Sequence, residues 1–338
     1  MNRRNWMVLL LAVLLLSACG RQSRVPTIRV GVTLYQQEDT FLTTLSQELE
    51  KQAGQEEERL GAKINLNFAY GRGNQSLQNE QVARFLEQGC DVLCVNIVDR
   101  TAAAGIIDQA QAADVPVIFF NREPVREDLE RWDHAYYVGL PADQAGRLQG
   151  RIVAQAWKED PALLDRSGDG VLQYVMLEGE PGHQDALLRT EYSIKTLTAL
   201  GVRVEKLDSD TADWQRGLAR LRMQQWIQDY GHEIELVLAN NDDMALGAID
   251  ALLSAGWRRE DLPFIVGADA TPPGLEALRS GTMQATVVND APGQAEQILS
   301  VISCLLSGGD PAEELSLSDG KYAWLAYQPI TEEDLEAG

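Results

Sequence analysis

Residues 95–108, Val-Asn-Ile-Val-Asp-Arg-Thr-Ala-Ala-Ala-Gly-Ile-Ile-Asp, and residues 239–250, Ala-Asn-Asn-Asp-Asp-Met-Ala-Leu-Gly-Ala-Ile-Asp, follow one plan. Each reads as the end of an apolar strand, an Asn/Asp turn and a helix of small residues. An apolar strand introduced by proline follows each of them, at Val115-Pro116 and at Leu262-Pro263. The recurrence makes the chain two similar α/β domains, and the rest of the sequence fits that frame.

Working outward from the first copy, strands are expected at 27–35, 62–70, 92–97 and 115–121, with helices at 40–55, 74–88 and 102–113 between them. Around the second copy the same rhythm gives helices at 142–158, 184–200, 214–230 and 244–255, and strands at 172–177, 203–208, 235–239 and 264–267. Strands alternating with helices at these lengths imply parallel sheets covered on both faces. Ligands of such sheets bind beyond the carboxyl ends of the strands, so two facing domains would enclose a cleft.

At 338 residues the chain is long enough for both domains, and 45% apolar content excludes a disordered chain. Arg3 and Arg4, an apolar run from Met7 to Leu16 and Leu-Ser-Ala-Cys19 form a secretory signal too short for a confident membrane span. Residues 1–18 are therefore expected to be a signal peptide and 19–26 a tether. A net charge of −22 argues against nucleic acid as a partner. Cys90, Cys94 and Cys304 remain in the body. Cys90 and Cys94 would lie about 13 Å apart along a strand, too far to bond, and all three read as small buried apolar residues.

Two chemical signals stand close together in the second domain. Asp165, Ser167, Asp169, the backbone of Val171 and Gln173 fall on the odd-numbered ligand positions of a calcium loop, with Gly170 at the sharp turn. The same pattern also occurs as an ordinary polar turn, and a complete site must borrow a carboxylate from elsewhere. After the next strand, His183, Asp185 and Arg189 open a helix, with the last two on one face. Such an i,i+4 pair is commonly only a solvated helix pair. Here it joins a donor-rich Arg, an acceptor-only Asp and a His at a strand exit, which suits a neutral polyhydroxyl ligand. Tyr35, Asp39, Phe41, Asn121, Trp214, Asn241, Asp269 and Asn289 likewise follow strands.

The long motifs Gly-Val-Thr-Leu-Tyr35, Val115-Pro-Val-Ile-Phe-Phe-Asn-Arg-Glu-Pro124, Ala135-Tyr-Tyr-Val-Gly139, Glu178-Gly-Glu-Pro-Gly-His183, Ala239-Asn-Asn-Asp242 and Val287-Val-Asn-Asp290 resemble the periplasmic galactose/glucose-binding proteins of bacterial ABC sugar importers. The similarity runs from about Ile28 to the C-terminus. It implies the type I periplasmic binding protein fold, two Rossmann-like domains with parallel sheets joined by a three-strand hinge. The crossings are expected near Leu140, Asn289 and 321–323, giving a first domain of 27–140 plus 289–322 and a second of 141–288 plus 323–338. By resemblance Phe41 and Trp214 sandwich a pyranose, and Asp39, Asn121, His183, Asp185, Arg189, Asn241, Asp269 and Asn289 hold its hydroxyls. Asp39 would accept from the 4-hydroxyl of either epimer, so galactose and glucose both bind. Glu235 would complete a structural Ca2+ site, in which Ser167 replaces the usual Asn. The Leu-Ser-Ala-Cys ending resembles the lipoprotein signal, implying cleavage before Cys19, acylation of its thiol and attachment to the cell membrane. The implied function is extracytoplasmic: a monomeric binding protein delivering sugar to the membrane subunits of an ABC importer.

A glycosidase would also need paired carboxylates in a cleft. Here the carboxylates are accompanied by His, Arg and three Asn, which hold hydroxyls, so an enzyme is not expected. A sugar-responsive repressor would need a DNA-binding module where the signal peptide stands. The nearer alternatives are a binding protein for another monosaccharide and a sugar-presenting partner of a sensor kinase or chemoreceptor.

Overall fold

In the computed structural model, which describes residues 25–336, the apolar strands assemble into two six-stranded sheets. The first half runs β1 (Thr27–Leu34), α1 (Thr40–Leu60), β2 (Lys63–Tyr70), α2 (Gln75–Glu87), β3 (Val92–Val95), α3 (Ala103–Ala112), β4 (Val117–Phe120) and β5 (Ala135–Gly139). The second runs α4 (Ala142–Glu159), β6 (Leu172–Glu178), α5 (Gln184–Ala199), β7 (Val204–Thr211), α6 (Arg216–Asp229), β8 (Leu236–Ala239), α7 (Asp242–Ser254), β9 (Phe264–Val266), α8 (Pro272–Arg279) and β10 (Ala285–Val288). Helix α9 (Ala291–Leu306) and strands β11 (Tyr322–Trp324) and β12 (Gln328–Thr331) then follow.

The first sheet is ordered β11-β5-β4-β3-β1-β2 and the second β12-β10-β9-β8-β6-β7, the same arrangement twice. Each sheet is buried on both faces. Leu42, Leu45 and Leu49 of α1 and Ile298, Leu299 and Ile302 of α9 close one face of the first, and Ile106 and Ile107 of α3 the other. Helix α9 therefore returns to the first domain. Met223 and Trp226 of α6 and Leu252 of α7 cover one face of the second sheet, and Val153 of α4 and Leu197 of α5 the other. Helix starts are set locally: Asp39, Asn74, His183, Asn241, Thr271 and Asp290 each accept a hydrogen bond from a backbone N–H in the first turn.

Chain crossings between the sheets fall after β5, between β10 and α9, and between β11 and β12. The third differs from the expected 321–323. Ala323 and Trp324 pair with Val138 and Gly139 of β5, so they belong to the first sheet and the chain crosses at 325–327. Strand β12 also departs from the all-parallel expectation, since it pairs with β10 antiparallel. The reason is geometric: β10 runs toward the crossings, whereas β12 starts at one and runs away. Among the described residues no helix is long and apolar enough to cross a membrane. The expected signal peptide, Cys19 and residues 19–24 of the tether lie outside the described residues.

Candidate functional site

All eleven of the expected ligand residues line one small cavity between the two sheets. The first domain supplies Tyr35 and Asp39 after β1, Phe41 in the first turn of α1, and Asn121 after β4. The second supplies His183, Asp185 and Arg189 at the start of α5, Trp214 after β7, Asn241 after β8 and Asp269 after β9. Asn289 comes from the crossing after β10.

Arg189 organises the second domain's wall. Its Nη1 donates to Asn240 O at 2.7 Å and to Asp269 Oδ1 at 3.4 Å, and its Nη2 to Asp185 Oδ2 at 3.3 Å and Tyr327 Oη at 3.0 Å. Burial works against its charge, but Tyr327, Asp269 and Asp185 more than offset this and raise its pKa. Burial pushes Asp269 up to about 8 although Arg189 opposes the rise, and burial likewise raises Asp185. Asn289 Nδ2 donates to Asp269 Oδ1 at 3.1 Å, and Gln294 Nε2 holds Asn289 Oδ1 at 2.8 Å. Behind this wall the fully buried Asp242, pushed up to about 7 by burial, accepts from the Thr286 and Thr271 hydroxyls.

His183 is held far below its usual pKa, first by burial and then by Arg122 and Arg189. Its Nδ1 accepts the Asp185 N–H at 3.1 Å, which places the imidazole hydrogen on Nε2 as a donor. Trp214 is fixed from three sides: the His183 ring stands edge-on at 5.1 Å, Asn241 Nδ2 donates to its carbonyl at 3.2 Å, and Gly179 lies beneath it. A Cβ on Gly179 would come within 2.3 Å of the indole ring. The buried Arg189 Nε and Trp214 Nε1 have no protein partner, and such donors are costly to leave unmade.

In the first domain Tyr35 Oη donates to Asp39 Oδ2 at 2.8 Å, while Asp39 Oδ1 caps α1 through Leu42 N at 2.8 Å. Burial, then Asp39, drives the Tyr35 phenol far above its ordinary range. Asn121 Oδ1 accepts from Asn96 Nδ2 at 3.0 Å. Three side-chain bonds close the cleft across the domains: Thr40 Oγ1 to Asp243 Oδ2 at 2.6 Å, Arg122 Nη2 to Glu180 Oε2 at 2.8 Å and Gln184 Nε2 to Glu123 Oε2 at 3.0 Å.

Sequence reasoning missed Arg122, the twelfth lining residue. Its guanidinium lies 3.5 Å from the centre of the Tyr35 ring and its Nη1 donates to Val98 O at 3.1 Å. Its place beside Asn121 was the available signal. It was masked because an arginine next to a turn is ordinarily solvated.

In the loop before β6, the structure gathers Asp165, Ser167, Asp169, Val171, Gln173 and the distant Glu235. Glu235 Oε1 accepts from the N–H groups of Arg166 at 2.7 Å and Ser167 at 2.9 Å, and its Oε2 from Gln173 N at 3.2 Å. Asp165 accepts from Gly168, Asp169 and Gly170 N–H groups at 2.6–3.2 Å. Asp169 accepts from Val171 N at 2.8 Å and from Gln173 Nε2 at 3.1 Å. The donor set is hard oxygen, as a calcium ion needs, and the buried Gln173 Oε1 is left without a partner. The carboxylates, however, face loop N–H groups, and among the described residues no three of His, Cys, Asp and Glu converge as a metal cluster.

Two matching sheets, three crossings and one cavity closed over by both halves define a two-domain solute-binding protein. The sequence profile of the periplasmic binding protein domain matches residues 30–310, and the chain belongs to that family. A galactose/methyl-galactoside-binding periplasmic protein of Haemophilus influenzae is 37% identical over 286 residues, 84% of this chain and 83% of that one. A xylitol-binding protein of Mycolicibacterium smegmatis is 30% identical, over 87% of this chain and 78% of its own length. Among solved structures, an ABC transporter solute-binding protein from Bacillus halodurans with bound myo-inositol superposes with a TM-score of 0.74 at 28% identity, covering 94% of this chain and 98% of that one. These homologues are solute-binding proteins, not enzymes.

Proposed function

We propose that this chain is the extracytoplasmic, Cys19-anchored binding subunit of an ABC importer, and that its cavity holds a single hexopyranose, D-galactose or D-glucose. The observation that carries this reading is the cavity wall itself. Phe41 from one domain and Trp214 from the other supply apolar rings for the C–H faces of a pyranose, and the lining carboxylates, amides, Arg189 and His183 supply donors and acceptors for its hydroxyls. The galactose/methyl-galactoside-binding relative at 37% identity supports the choice of hexose.

The closed cleft is the form that importer membrane subunits would engage, with the protein acting as a monomer. A Ca2+ ion bound by Asp165, Ser167, Asp169, Val171 O, Gln173 and Glu235 would stabilise the second domain by binding only its folded loop, and the unpartnered Gln173 Oε1 supports that reading. The second reading of the cavity is a site for another monosaccharide or a polyol, favoured by the xylitol- and myo-inositol-binding relatives. Calorimetric titration with D-galactose, D-glucose, D-ribose, xylitol and myo-inositol, in calcium, separates the two. Tight binding of a hexose with the others inert supports the first reading; a polyol or ribose binding more tightly than both hexoses replaces it.

A further inference from the structure

We infer that Tyr327, which does not line the cavity, is a positioning residue for Arg189 and ties the cavity to the hinge. The inference rests on the reading of the cavity as a sugar site. Tyr327 stands in the third crossing, between β11 and β12, and is 5% exposed. Its ring packs in a small apolar cluster with Leu140 of the first crossing and Val287, one residue before the end of β10, where the second crossing begins. Its backbone N–H donates to Gln144 Oε1 of α4 at 3.1 Å. Tyr327, itself in the third crossing, thus shares one apolar cluster with residues at or beside the other two places where the chain changes domain.

The other end of Tyr327 reaches the site. Its Oη accepts from Arg189 Nη2 at 3.0 Å, and the guanidinium carbon lies 5.7 Å from the ring centre. The remaining protein contacts of the Arg189 fork, to Asn240 O, Asp269 and Asp185, all come from the second domain. Tyr327 is therefore the fork's link to a segment that joins both domains. Hinge closure concentrates its φ/ψ change in the crossings. A rotation that shifts residues 325–327 moves the Tyr327 hydroxyl, and with it one of the bonds that fix the plane of the guanidinium. A sugar that uses the Arg189 Nε–H, buried without a partner, then favours the hinge angle at which that plane is correct, and the coupling is reciprocal.

Tyr327→Phe tests this, because it keeps the ring in the hinge packing and removes only the hydroxyl. The dissociation constant of the sugar identified by titration should rise roughly tenfold, as for loss of a hydrogen bond to a charged group. Leu140→Val, which thins the same packing without touching Arg189, should change it by less than about twofold. Equal affinities in wild type and Tyr327→Phe, or equal losses in both variants, overturn the inference. Without sugar, Tyr327→Phe and Arg189→Met should together lower the unfolding midpoint by less than the sum of their separate effects. Strict additivity overturns the inference even if no sugar binds the wild type, a result that by itself counts only against the reading of the cavity.

Discussion

Gly179→Ala tests the architecture of the cavity without altering any residue that lines it. The added Cβ would lie 2.3 Å from two carbons of the Trp214 ring, whereas ordinary contact begins near 3.4 Å, so the indole must retreat by about 1 Å. Trp214 cannot comply by a simple rotation, since its backbone is left-handed at φ 65, its carbonyl is held by Asn241 and the His183 ring stands against it. The loss is that of one aromatic face against the proposed sugar, about 0.5–1.5 kcal/mol by analogy with aromatic pairs. That corresponds to a dissociation constant roughly 2–13 times higher. Calorimetric titration with the sugar that binds the wild type measures it, and circular dichroism checks that the second domain still folds. A dissociation constant within twofold of wild type would refute the argument, because Trp214 would then be either mobile enough to yield or irrelevant to the ligand.

Asp39→Asn retains an acceptor for the α1 cap but removes the charge, so binding should weaken by about 1.5–3 kcal/mol; an unchanged titration curve would remove Asp39 from the site. Calcium should raise the unfolding midpoint of the wild type but not of Glu235→Ala, with sugar affinity similar in both; equal wild-type midpoints in calcium and in chelator would eliminate the metal. Burial raises Asp242 to about 7 and Asp269 to about 8, so in this range the folded state binds more protons than the unfolded state, whose carboxylates titrate near 4. Their contribution to ligand-free stability should therefore be present at low pH and decline as pH rises through about 7 to 8. Asp269→Asn should flatten the upper part of that decline in unfolding midpoints taken from pH 6 to 9; an identical slope would show that Asp269 is ionised in the fold.

Much of the site was legible because its residues also perform local duties that leave local signatures. Asp39, His183 and Asn241 are helix N-caps at strand exits, and a strand followed by a cap and a helix is readable from the residue types alone. Arg122 and Tyr327 were not legible, since what they do depends on Glu180 and Arg189, which approach only in three dimensions. The fold shows the same division. The first helix is expected at 40–55, yet α1 continues to Leu60, because Glu and Arg are strong helix formers and Gly61 at φ 61 supplies the stop. Helix α9 is not among the helices expected from the sequence, and it opens on Pro292 and Gly293, residue types that also mark turns. In the structure Asp290 accepts from Gly293 N at 2.9 Å, which makes the proline a first-turn residue of the helix.

Three cavity residues occupy left-handed backbone: Asn121 at φ 60, Trp214 at φ 65 and Asp269 at φ 106. Such conformations persist only where the surroundings over-determine them, and here each is supported by a backbone or side-chain bond from within its own domain. Tyr137 Oη donates to Asn121 O at 2.9 Å, and both belong to the first domain. Asn241 holds the Trp214 carbonyl, and Asp269 N donates to Val287 O at 2.7 Å, all in the second. These three backbone conformations are therefore each supported within a single domain. Among the described residues the Thr40–Asp243, Arg122–Glu180 and Gln184–Glu123 bonds join the two halves across the cleft. Changes that distort a half-site, such as Gly179→Ala, should weaken the intrinsic contact with sugar. Changes at the bridging bonds should act through the balance between open and closed forms. The two kinds of effect should combine additively when made in the same protein, because they act on different steps of one binding event.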